Sequence, residues 1–167
     1  GVDVEILVRS AYVARSAPRQ WRGTRIRRLW SPRKSGLEVI LHTFLGVLYA
    51  TIRRPDILHL HSVGPAVFTP LARALGLRVV VTHHAPDYVQ AKWGWLGKWI
   101  LKTGERMTMR YANEVISVSR HGAAELKRAY GREATLILNG VPSIGPTESR
   151  AVLDELGLES GRYVLHV

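Results

Sequence analysis

The chain has no cysteine among its 167 residues, which removes disulfides, thiolate metal sites and cysteine nucleophiles from consideration. That absence leaves the redox compartment open, since proteins on either side of a membrane lack cysteine. No stretch reaches the roughly 18 apolar residues that a bilayer span requires. The best candidate, Val39 to Ile52, is short and interrupted by His42, Thr43 and Thr51. An initiator methionine and a signal-peptide pattern are also missing, so the chain is expected to be a fragment. What remains is ordinary: 46% hydrophobic and 22% charged residues suit one globular domain with its own core and exclude disordered and fibrous classes.

Acidic residues are scarce: 24 Lys and Arg stand against 13 Asp and Glu, a net charge of +11. The excess is concentrated in residues 1–34, where Arg9, Arg15, Arg19, Arg22, Arg25, Arg27, Arg28, Arg33 and Lys34 face only Asp3 and Glu5. Such a patch suits nucleic acid, anionic lipid or a phosphorylated ligand, with a solvated basic face as the plain alternative.

Hydrophobic periodicity predicts alternating strands and helices. Val4 to Val8 reads as a strand, and an Arg-rich loop surrounds a short strand at Arg25 to Leu29. Leu37 to Arg53 carries apolar residues at helical spacing and stops at Pro55. Ile57 to His61 is a strand, Gly64 to Leu75 a helix closed by Gly76, and Arg78 to Thr82 a β-branched strand. A helix over about Trp95 to Tyr111, a strand at Glu114 to Val118, a helix capped by Ser119 and ending at Gly131, and a strand at Thr135 to Leu138 complete the series. This rhythm predicts an α/β fold, a Rossmann-like doubly wound parallel sheet with helices on both faces. The turn formers of Asn139 to Pro146 read as a linker, followed by a short helix at Ser149 to Leu156 and a new strand at Arg162 to Val167. The expected organisation is therefore a domain over 1–138, a linker over 139–148 and the start of a second domain over 149–167.

Two histidine pairs, His59-Leu60-His61 and His83-His84, stand where two of these strands run out. In an open parallel sheet the carboxyl ends of the strands form the ligand crevice, so ring nitrogens gathered there suggest a site for a small polar substrate. A histidine merely satisfied at a strand end is the alternative for His84. For His59 a core position is expected, deeper than His61 along the strand.

The order His59-Leu60-His61-Ser62-Val63-Gly64-Pro65, then Val81-Thr82-His83-His84-Ala85-Pro86-Asp87-Tyr88 with Ala91-Lys92-Trp93-Gly94, then Ile116-Ser117-Val118-Ser119, then Ile137-Leu138-Asn139-Gly140-Val141-Pro142 resembles retaining nucleotide-sugar glycosyltransferases of family 4. These have the GT-B fold; the likeness points in particular to a bacterial, rhamnosyltransferase-like polysaccharide subgroup. It covers nearly the whole chain and implies the N-terminal, acceptor-side domain of a two-domain enzyme. A first strand and glycine loop ahead of Gly1 and the donor-binding half beyond Val167 are then expected to be absent, leaving the chain inactive alone. The parent enzyme would be a cytoplasmic hexosyl- or deoxyhexosyltransferase, using a nucleotide-sugar donor and a saccharide or lipid-linked acceptor. In the resemblance His84 lies in the interdomain cleft near the donor sugar as the catalytic candidate, with His61, Asp87, Tyr88, Lys92, Ser119 and Arg120 as substrate-binding candidates. One departure is local: Ala85 stands where the family usually has glycine and adopts positive φ less readily.

Imidazoles at i and i+2 on a strand also suit a metal. Against that reading, His83 and His84 must point to opposite faces, and no carboxylate cluster accompanies them; the resemblance likewise implies an enzyme without metal or other cofactor. Lys98, Lys102, Arg106 and Arg110 line one helix face beside Trp93, Trp95 and Trp99, an interfacial membrane pattern. The alternative has the tryptophans packed on the sheet and the bases solvated. A lipid-linked acceptor would place the enzyme peripherally at the inner membrane face. The competing class is a non-catalytic module binding nucleic acid or anionic lipid, recognisable by steep salt dependence without response to sugar.

Overall fold

The structure is a computed structural model that describes residues 1–33, 36–84, 93–140, 151–159 and 161–164. Two sheets form. Strands β1 (Glu5–Arg9), β2 (Gln20–Trp21) and β3 (Thr24–Leu29) make a three-stranded sheet in the order β1-β3-β2, with β1 and β3 parallel. Strands β4 (Leu58–His61), β5 (Val79–His83), β6 (Glu114–Ser117) and β7 (Thr135–Leu136) make an all-parallel sheet in sequence order. Helices α1 (Leu37–Arg53), α2 (Thr69–Ala74), α3 (Trp95–Tyr111) and α4 (Arg120–Tyr130) supply the crossovers and flank the sheet, and a short α5 (Ala151–Glu155) follows. This is the expected α/β architecture.

Alternation decides which face of the four-stranded sheet is core. Leu60, Val79, Val81 and Val115 are buried and join Val47 and Ala50 of α1, Ala72 of α2, Met109 of α3 and Leu126 of α4 in one cluster. Burying these side chains drives the assembly, at about 25 cal/mol per Å² of apolar surface removed from water.

Helix α1 orients both sheets. Its first turn meets the end of β1, where Arg9 donates to Glu38 at 2.9 Å, and its last turns meet the start of β1, where the Tyr49 hydroxyl donates to Glu5 at 3.1 Å. The chain then needs only four residues to reach the start of β4. The parallel strands of both sheets, all but β2, therefore begin at one end of α1 and finish at the other. Their carboxyl ends share one rim.

Three expected elements are corrected. Gly64 to Leu75 is not one helix: a 3-10 turn at Pro65–Phe68 precedes α2, because Pro70 has no N–H to give the Ala66 carbonyl and its ring would collide with it. Instead the Thr69 hydroxyl bonds Ala66 O at 2.7 Å. The last strand keeps only Thr135–Leu136; Ile137 makes one further bond to Ser117 O, and Leu138 is exposed. Arg162 to Val164 form no strand, and most of the expected linker lies outside the described residues.

Candidate functional site

Histidines 59, 61 and 84 form a ladder across the carboxyl ends of β4 and β5. In the parallel register His59 lies opposite Val80 and His61 opposite Thr82, so these residues share the face away from Leu60 and Val81. The His59 and His61 rings stand 4.3 Å apart, and His61 and His84 stack at 5.6 Å. Nδ1 of His61 lies 3.3 Å from Nε2 of His84, and Nε2 of His59 lies 2.7 Å from the Thr82 hydroxyl. His59 is thus not the core histidine that its position suggested. It is exposed and belongs to the ladder, because the leucines at 58 and 60 take the inward positions of β4.

Lost hydration, followed by the charges of His61 and His84, holds His59 below the usual imidazole range. Lost hydration and then His84 do the same to His61. Both favour the neutral form. Neutral imidazoles carry one donor and one acceptor each, the combination a sugar hydroxyl uses.

His83 points the other way, as adjacent strand residues must, and is 3% exposed. Its Nε2 lies 2.9 Å from Oε2 of Glu105, and the Tyr130 hydroxyl donates to Oε1 at 2.7 Å. This buried network ties β5 to α3 and α4 directly beneath His84. Sequence reasoning missed Glu105 and Tyr130. The available signal was a lone acid one turn from Leu101 and Met109, on the apolar side of an otherwise cationic helix.

Backbone packing holds the turn after His61. Ser62 adopts φ 73, a left-handed conformation costing a non-glycine residue about 1 kcal/mol or more. Val63 then passes under α3 so closely that a Cβ on Gly104 would sit 1.8 Å from the Val63 carbonyl oxygen. Only glycine fits there.

Of the other candidates, Ser119 and Arg120 follow β6 on the same rim. Ser119 is the N-cap of α4, its hydroxyl accepting from Gly122 N at 3.0 Å, and Arg120 is exposed. Asp87, Tyr88 and Lys92, with Ala85, lie outside the described residues. Among the described residues no group of three or more His, Asp or Glu side chains could hold a metal ion. On α3, Trp95 and Trp99 are 81% and 60% exposed, so these two do not pack on the sheet; Lys102, Arg106 and Arg110 are exposed beside them. No helix is long and apolar enough to cross a membrane among the described residues.

Comparison with known protein families matches residues 1–143 to the model described as Glycosyltransferase Family 4. A comparison with curated proteins finds no match.

Proposed function

We infer the function from one premise: the chain belongs to Glycosyltransferase Family 4. We propose that it is the acceptor-side part of an enzyme that transfers a hexosyl or deoxyhexosyl group, with retention, from a nucleotide-sugar donor to a saccharide or lipid-linked acceptor. On this reading residues 139–148 lead to a donor-binding domain that begins within 149–167. The observation that carries it is the His61–His84 pair, exposed at the carboxyl ends of β4 and β5, in which lost hydration favours the neutral form of His61. His84 orients the reacting sugar through its hydroxyls, and His61, Ser119 and Arg120 line the same rim for the acceptor. Asp87, Tyr88 and Lys92 are assigned to substrate from the sequence alone. Holding the two substrates in reacting geometry, and keeping fixed dipoles by the developing oxocarbenium charge, are the main terms available to such an enzyme.

The exposed Trp95 and Trp99 with the neighbouring cations of α3 favour a peripheral site of action on an anionic inner-membrane face. Each cation near such a surface contributes about 1 kcal/mol.

The test is an assay of the intact enzyme against a panel of nucleotide sugars with lipid-linked acceptors, reading the anomeric configuration of the product. A retained product is expected. Donor hydrolysis alone, or an inverted product, would overturn the reading. His84→Ala is expected to cut turnover by about 100-fold or more with little change in melting temperature, measured as kcat beside a thermal melt.

A further inference from the structure

The carboxyl ends of β1 and β3 hold a second site on the same rim. Ser10 to Arg15, Arg28 and Arg33 line an open cavity of about 400 Å³, within the size range of small-ligand sites. Three of its lining side chains are arginines, and neither Arg15, Arg28 nor Arg33 forms an ion pair among the described residues. The nearby acid is already committed, since Glu38 accepts from both Arg9 and the Tyr12 hydroxyl.

Arg28 is the informative one. Strand alternation puts Arg25 and Arg27 on the face that β1 turns to α1, in register with Glu5 and Leu7, where they pair with Asp3 and Glu5. Arg28 lies on the opposite face with Ile26, paired in register with Val8. There its Nε is buried with no hydrogen-bond partner. A buried N–H of a cation left unsatisfied is costly, and such exceptions call for an explanation. An anion in the cavity meets the same guanidinium where Arg28 lines the wall.

We propose that this pocket binds a phosphate or pyrophosphate group carried by a substrate. Three uncompensated guanidinium groups exceed what one carboxylate needs, and their planar forks match phosphate oxygens. Ser10 lines the same wall. The proposal deepens the glycosyl-transfer reading and rests on it for the ligand's origin: the phosphoryl group sits either at the reducing end of a lipid-linked acceptor or in the donor's diphosphate. Pyrophosphate binding itself is measurable without sugar transfer.

The experiment is calorimetric titration of the protein with inorganic pyrophosphate, orthophosphate and acetate at low salt. Pyrophosphate is expected to bind more tightly than orthophosphate, and acetate not at all. Arg15→Ala and Arg33→Ala remove exposed side chains that folding does not need, and each is expected to weaken pyrophosphate binding about 10-fold. Arg28→Met should weaken it at least as much, with partial rescue by Arg28→Lys. In the intact enzyme, a rise in KM for the pyrophosphate-linked acceptor alone assigns the group to the acceptor, and a rise for the nucleotide sugar alone assigns it to the donor. Absence of pyrophosphate binding, or binding that the three variants leave unchanged, overturns the proposal. Failure of sugar transfer with pyrophosphate binding intact would instead overturn only the glycosyl-transfer reading.

Discussion

The two sheets of this domain are held by different forces. Every buried apolar residue of the core lies at Val47 or beyond, in or around the β4–β7 sheet. None comes from the first 33 residues. The β1–β3 sheet is arginine-rich, its strands joined by Arg25–Asp3 at 2.6 Å and Arg27–Glu5 at 3.4 Å, and exposed ion pairs contribute little. It leans on α1 through Leu7, 3.3 Å from a Cβ placed at Gly46, and through Tyr49 and Glu38. Packing therefore fixes the histidine ladder, while the arginine pocket stands on a region with few apolar contacts to lose. Two of the pocket's arginines, Arg15 and Arg33, are exposed, so they keep their hydration until a ligand arrives.

The largest expected effect breaks the packed region. Gly104→Ala sets a methyl group against the Val63 carbonyl oxygen, and neither backbone can move without opening the α3 contact. Destabilisation of about 4 kcal/mol or more is expected, read as loss of soluble protein or a collapsed melting temperature. Gly94 faces open space at φ −66, so Gly94→Ala should stay within about 0.5 kcal/mol.

Next comes the buried network. Glu105→Ala strips both His83 and Tyr130 of a partner, and leaving such groups unsatisfied costs about 2–4 kcal/mol, measured by denaturant unfolding. Asp3→Asn breaks an ion pair whose partners are 51% and 68% exposed and should cost at most about 0.5 kcal/mol. Comparable losses from the two changes would erase the contrast between the sheets.

Hydrogen exchange sharpens the same contrast without mutation. Amides of β5, whose strand is buried nearly throughout, should exchange only through global unfolding. Those of β1 and β3 should open locally and exchange at least about 10-fold faster. Equal protection would mean that α1 transmits the stability of the core to both sheets.

Much of the packed region was legible in the sequence, because its signals are local. The alternation of Leu58 to His61, the β-branched run of β5, the cap at Ser119 and the close at Gly131 each specify an element from a few neighbouring residues. What escaped was the product of tertiary contact. Nothing near Gly104 announces that α3 crosses the Val63 backbone, and Glu105 reads as one more surface charge until His83 is placed against it. His59 was misjudged because depth along a strand was weighed before face; Leu58 and Leu60 already determined the face. The arginine pocket was visible as a charge excess, but only the pairing of Arg25 and Arg27 shows which arginines remain unpaired.

The smallest expected effect concerns the ladder itself. His59 and His61 sit below the ordinary imidazole value of about 6.5, chiefly because partial burial removes hydration. With folded values below unfolded ones, the unfolded chain binds protons first on acidification. The stability these rings allow is complete above about pH 6.5 and falls as pH drops through that value toward the lowered folded ones. His42 is lowered by burial as well and acts with the same sign, so the total slope does not isolate the ladder. The difference between wild type and a His59→Asn/His61→Asn double variant does. Unfolding free energies from pH 7.5 to 5.5 should decline in both, but more steeply in the wild type, by a modest amount because the rings are exposed and the charges screened. Identical slopes would mean that His59 and His61 take up protons as freely as in the unfolded chain, and that their neutrality is not built into the fold.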